Sequence, residues 1–188
     1  MNGDLKIGTN VFPHYVRLDV FRNVDAFLHS SLKETVLDGF VHIQHKFKLK
    51  MHAWIVMPGT IKFIASCDNE MVAMEEVVDN FMNYTDKKLL QNIGNLKNEI
   101  KRTWMLNVFE SNRRNQRLMF WHHRYTLEAL NDEEQFTSRL QDMHESPVVS
   151  GMVWDAQNFM YSSAIDYIQD EPGLLPLVKL KVQDDLFF

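Results

Sequence analysis

The chain has 188 residues, 45% of them hydrophobic and 24% charged, which suits one globular domain with a sizeable core. Seven glycines and five prolines leave little material for linkers, and the single cysteine, Cys67, excludes an internal disulfide and a cysteine-based zinc site. The net charge of −5 is unevenly spread: Lys+Arg against Asp+Glu run 10 to 11 over residues 1–94, 7 to 2 over 95–124 and 3 to 12 over 125–188. A basic stretch therefore lies inside an acidic chain, a footprint that suits phosphate backbones and equally a solvated helix face.

The opening "MNGDLKIGTN" lacks the apolar centre of a signal peptide. The charge-free stretch Met51 to Ile61 is short of the roughly 20 residues a membrane span needs, so a cytoplasmic protein is expected. "HYVRLDVF" (His14–Phe21) alternates as a first strand. From Asp25 to His45 apolar residues recur at helical spacing, predicting one long helix that tolerates Gly39. "HAWIVM" and "TIKFIAS" read as two strands around the Pro58-Gly59 turn.

A second helix is predicted from Met71 to Ile93, with Gly94 as its C-cap, and a third over "LKNEIKRTWMLNVFE". "SNRRNQR" reads as an exposed basic loop and "LMFWHH" as a short strand-like run. A helix from Asp132 to Glu145 is expected to stop at Ser146-Pro147, since the residue before proline avoids the helical region. The order strand, helix, strand, strand, helix predicts a ferredoxin-like α+β fold, an antiparallel sheet with helices packed on it. Residues 1–150 form that domain in this reading, and residues 151–188 form a C-terminal helical extension packed on it.

Several motifs in one order resemble the REP-associated tyrosine transposases, single-tyrosine enzymes of the HUH type. Ala53–Ile64 aligns with "AYVIMPNHVHLI", "YTDKK" (Tyr84–Lys88) with "FTSKK", and "RTWMLNVF" (Arg102–Phe109) with "REWML..F". "FWHH" (Phe120–His123) aligns with "FWQ", "QDMHESPVVSGMV" (Gln141–Val153) with "DYIHNNPVxAGxV", and "NFMYSSAIDY" (Asn158–Tyr167) with "DYxYSSARDY". The likeness implies chemistry on single-stranded DNA beside a hairpin. A tyrosine attacks a backbone phosphate, and a divalent metal such as magnesium, held by two histidines and a later amide, screens the charge.

In this chain the resemblance puts Gly59, Thr60, Ile61 and Lys62 at the "NHVH" positions, Asp142 at the tyrosine and Ser146 at the amide. Thr60, Lys62, Asp142 and Ser146 thus mark a degenerate catalytic set, with no catalytic residue, metal ligand or cofactor expected. A protonated lysine has three donors and no lone pair for a metal. Lys62 and Asp142 could form an ion pair across the empty metal position; alternatively Asp142 pairs with Arg139 and Lys62 faces solvent.

Tyr84, Tyr125, Tyr161 and Tyr167 remain as tyrosines, the last two at positions that the family does not use as nucleophiles. His122 and His123, adjacent on a strand, would face opposite ways, and His42 with His45 lacks a third ligand. The expected DNA contacts are Lys87, Lys88, Lys101, Arg102, Arg113, Arg114, Arg117 and Arg124. Trp104 and Trp121 are expected in the core, with base stacking as the alternative. The expected function is a non-cleaving, transposase-like protein, monomer or homodimer, that binds hairpin or single-stranded DNA. The alternatives are a protein-interaction or vestigial domain, and a residual activity through non-standard residues.

Overall fold

The alternating segments come together as an antiparallel sheet in the computed structural model, which describes residues 12–69, 71–114 and 117–180, the side chains of residues 113, 114 and 117 excepted. Strand β1 (His14–Asp19) leads through two short 3-10 turns to helix α1 (Ser30–Phe47). Strands β2 (Lys50–Met57) and β3 (Thr60–Ser66) then form a hairpin around Pro58-Gly59. Helices α2 (Met74–Gly94) and α3 (Glu99–Glu110) and a small ribbon, β4 (Arg113–Arg114) with β5 (Arg117–Leu118), precede strand β6 (Thr126–Ala129). Helix α4 (Glu133–Val149) and a short α5 (Ala164–Ile168) follow.

The main sheet has the order β2-β3-β1-β6, all neighbours antiparallel. This is the ferredoxin-like arrangement, with β6, absent from the sequence prediction, as its fourth strand. One face carries Val16, Leu18, Trp54, Val56, Ile61 and Phe63 and packs under α1 and α2. Phe40, Phe63, Phe81 and Trp121 lie at its centre, with ring centroids 5.2–6.3 Å apart along the chain of contacts Phe40–Phe81, Phe63–Phe81 and Phe81–Trp121. Each such ring contributes about 2–3 kcal/mol through burial. The other face carries Tyr15, Ala53, Ile55, Met57 and Ile64 and receives Phe136, Leu140 and Met143 of α4.

Gly39 is where α1 and α2 approach closely: a Cβ there would meet Thr85 Cγ2 at 2.5 Å and Phe81 Cε2 at 2.7 Å. Four sequence expectations are corrected. The first helix starts at Ser30, because residues 26–28 turn tightly while Phe27 N–H donates to Pro58 O at 2.9 Å. Gly94 ends α2 without a left-handed cap, Asn95 taking the cap position; among the described glycines the left-handed one is Gly151. Helix α4 runs through Ser146-Pro147 to Val149, with Pro147 buried, so tertiary packing overrides the local preference before proline. "LMFWHH" is not one strand: Leu118 ends β5, and Trp121 makes an isolated bridge with Val20.

Residues after α4 run along the free edge of β2. Val56 N–H donates to Tyr161 O at 2.9 Å, Ser163 N–H to Trp54 O at 3.0 Å and Val178 N–H to Met51 O at 2.9 Å. His144 on α4 shares a 2.9 Å hydrogen bond with Ser163 Oγ, fastening this segment to the α4 face. No helix of the described residues is long and apolar enough to cross a membrane.

Candidate functional site

The strand pleat places Arg17 and Asp19 of β1, Ile55 and Met57 of β2, and Thr60 and Lys62 of β3 on the α4 face. Their register makes two rows: Arg17, Lys62 and Ile55 in one, Asp19, Thr60 and Met57 in the next. The last turns of α4 cross this end of the sheet. Lys62 Nζ donates to Ser146 Oγ at 2.8 Å, and Ser146 Oγ in turn donates to Asp142 O at 2.6 Å. Thr60 Oγ1 donates to Leu18 O at 3.0 Å.

The structure therefore gathers Thr60, Lys62, Asp142 and Ser146 in one place, but not in the expected pairing. Lys62 and Asp142 are not an ion pair; Arg139 lies 3.8 Å from the Asp142 carboxylate. Nor does Lys62 face solvent, because the half-buried ammonium is aimed at α4. Ser146 is a small, flexible partner at hydrogen-bond range, whereas Asp142 sits on the more exposed side of the helix. Burial lowers the lysine's pKa and Arg17 opposite lowers it further, while Asp142 pulls it back upward.

These groups do not suit a divalent metal. Thr60 offers only a neutral hydroxyl oxygen, a weak ligand, and Lys62 presents donors only. Among the described residues no group of three or more His, Cys, Asp or Glu side chains is arranged to hold one.

Two further groups at this end, Arg17 and Tyr15, escaped the sequence reading, and Arg139 has partners beyond the expected Asp142. Arg17 donates through Nε and Nη2 to Asp19 Oδ1, both at 3.0 Å. Arg139 donates through Nε and Nη2 to Glu128 Oε2 at 3.0 and 2.6 Å and lies over the Tyr15 ring, 5.0 Å from its centroid. Tyr15 is the phenol on the same sheet face, and burial raises its pKa, which disfavours the phenolate. Beside the rows a cavity of about 560 Å³ is lined by Arg17, Asp19, Asn23, Asp25, Thr60 and Met152, among others. The alternation of "HYVRLD" was the available signal, since it puts Tyr15, Arg17 and Asp19 on one face.

The basic residues are dispersed. Lys88 is tied to Asp38 and to Tyr84 Oη, both at 2.6 Å, and Arg102 donates to Leu96 O at 3.1 Å. Lys87 lines a separate cavity between α2 and α3, Lys101 is exposed on α3, and Arg124 is exposed just before β6. The side chains of Arg113, Arg114 and Arg117 lie outside the described residues. Trp121 is fully buried and donates Nε1–H to Thr85 Oγ1 at 2.9 Å. Trp104, expected in the core, is 54% exposed, because α3 buries only Met105 and Phe109 of its residues.

The hydroxyls of Tyr84, Tyr161 and Tyr167 are engaged with Asp38, Glu34 and His52 O. His42 bonds Asn80 and stacks on Tyr84 at 3.9 Å. The rings of His122 and His123 lie side by side, 4.5 Å between centroids, correcting the expectation of opposite faces, since this segment has left the sheet.

A solved structure of a REP-associated tyrosine transposase bound to a REP hairpin aligns with 97% of this chain and 96% of its own, at a TM-score of 0.61 and 11% identity. The chain has the fold of that transposase. A candidate transposase from Deinococcus radiodurans R1 aligns more loosely, with TM-score 0.46, 11% identity and coverage of 78% of this chain and 97% of that one. No protein-family model and no curated protein matches the chain in sequence.

Proposed function

We propose that the protein binds hairpin or single-stranded DNA on a transposase scaffold without cutting it. The observation that carries this reading is the Lys62–Ser146 hydrogen bond, which puts an ammonium where the resemblance calls for a metal and its imidazole ligands. Asp142 supplies no phenol at the neighbouring position, and a carboxylate there repels a phosphodiester instead of attacking it. The DNA-binding half rests on the shared fold with a transposase bound to a REP hairpin. It rests also on the exposed Lys87, Lys101, Trp104 and Arg124, which offer charge and a stacking surface.

Electrophoretic shifts with hairpin and unstructured oligonucleotides at two salt concentrations test the reading. Binding that weakens as salt rises supports it, and no shift at low salt removes it. A second reading, a protein-docking domain, is favoured by Val149, Met152, Trp154 and Met160, exposed close together in sequence. A stable complex with a protein partner and no oligonucleotide shift would establish that reading instead.

A further inference from the structure

The cavity between α2 and α3 has a volume of about 690 Å³, within the range of small-molecule sites. Leu90, Leu106, Leu118 and Met119 give it apolar walls, and Asn83, Lys87 and Gln91 are exposed at its rim. It belongs to the α2 side of the sheet, opposite Lys62 and α4.

Among the described residues the one acid lining this cavity is Asp86, which is only 7% exposed. Its Oδ1 accepts from the Phe120 and Trp121 amides at 2.8 and 3.3 Å. Its Oδ2 accepts from no donor among the described residues. That oxygen is not sealed from solvent either, so it opens on the cavity.

The fold does not account for the charge. Two backbone amides need an acceptor, and an uncharged oxygen would serve them. The aligned motif "FTSKK" has a serine at this position, where this chain has "YTDKK". Burial raises the Asp86 pKa to about 6, so at neutral pH the group is mostly ionised. Lys87, the next residue, does not share its helix face, and Asp86 has no ion-pair partner among the described residues. A carboxylate held out of water with one open oxygen is completed by a cationic donor.

The form of that donor follows from the oxygens available. A guanidinium pairs best with both oxygens of a carboxylate, and Oδ1 is already engaged. A hard divalent metal needs several oxygen ligands, and the cavity offers one carboxylate. An ammonium needs a single strong acceptor, and the Asn83 and Gln91 carboxamides offer neutral ones for its remaining hydrogens.

We propose that this cavity binds a small organic amine, its ammonium on Asp86 Oδ2 and its apolar body among Leu90, Leu106, Leu118 and Met119. Lys87, a cation at the rim, disfavours amines that carry a second positive charge. The site is separate from DNA binding and stands or falls without it.

The full-length chain is titrated at about pH 7.5, where Asp86 is ionised, with 2-phenylethylamine, 2-phenylethanol and ethylamine. Backbone amide shifts are followed by NMR. Saturable shifts with 2-phenylethylamine are expected at Leu106, Phe120 and Trp121. The alcohol lacks the charge and ethylamine lacks the apolar ring, so each should bind about tenfold more weakly. Asp86→Asn keeps an acceptor for the two amides and removes the charge. It should weaken 2-phenylethylamine about tenfold while amides remote from the cavity keep their positions.

Absence of saturable 2-phenylethylamine shifts at these amides overturns the proposal. Equal affinity for the alcohol does so as well, on the wild-type chain and without any variant. Unchanged affinity in Asp86→Asn also overturns it.

Discussion

The Lys62 ammonium and the Ser146 hydroxyl, 2.8 Å apart, join β3 to α4 across the end of the sheet. It joins two residues that the sequence resemblance aligns with a histidine and an amide, and here they form a donor–acceptor pair. Its contribution to stability is small, because burying part of an ammonium offsets the bond.

Lys62→Met is accordingly expected to leave stability within about 1 kcal/mol of wild type, on the stabilised side, once solvent screening of this half-exposed group is allowed for. Urea unfolding measures it. A loss above about 2 kcal/mol would mean that Lys62 is a structural keystone.

Asp86 gives a pH-dependent prediction. Burial raises its pKa to about 6, although the Phe120 and Trp121 amides both donate to Oδ1 and pull it down. A carboxyl whose pKa is raised on folding favours the native state at acid pH, and that benefit is lost as pH rises through about 6. Asp86→Asn keeps the acceptor and removes the buried charge. It should be more stable than wild type at pH 7, on the order of 2 kcal/mol, with the difference shrinking towards pH 4.

His144 acts in the opposite direction. Enclosed between α4 and the Ser163 segment, it has its pKa lowered to about 3 by burial, so it stays neutral while the unfolded chain takes up a proton below the usual histidine value. Stability from this group is present above about pH 6.5 and is lost as pH falls towards 3. Its ring proton resonances should not titrate between pH 7 and 5, and a midpoint near 6.5 would show that the burial is wrong.

The four tryptophans should separate cleanly. Trp54 and Trp121 are fully buried, whereas Trp104 is 54% and Trp154 94% exposed. Trp121→Ala should cost about 3–5 kcal/mol and Trp104→Ala under about 1 kcal/mol. Iodide should quench the fluorescence of Trp104 and Trp154 and spare the other two, which single-tryptophan variants would report.

Gly39→Ala should destabilise by about 1–3 kcal/mol, since a Cβ 2.5 Å from Thr85 Cγ2 forces α1 and α2 apart. Alanine's intrinsic helical advantage, about 1 kcal/mol, would prevail only if the helices separate freely. Thermal or urea unfolding decides the sign.

The elements with strong period-two or helical patterning were legible in the sequence, as was the hairpin around Pro58-Gly59. What was not legible depended on tertiary packing. Strand β6 is four residues long and half-buried, too brief for its alternation to stand out. Pro147 continues α4 with its ring buried, and Trp104 faces outward because α3 packs on α2 and buries Met105 and Phe109 instead. The partner of Lys62 was misjudged for a similar reason: charge favoured Asp142, but the side chain within reach was the hydroxyl one helical turn later.

One experiment bears most directly on the central claim. A labelled hairpin oligonucleotide with a single-stranded flank is incubated with the protein and magnesium, and each sample is run on a native and a denaturing gel. The account predicts a salt-sensitive shift on the native gel and an intact, protein-free strand on the denaturing one. A cleaved strand or a denaturation-resistant protein–DNA adduct would contradict the loss of catalysis, and no shift at low salt would contradict binding.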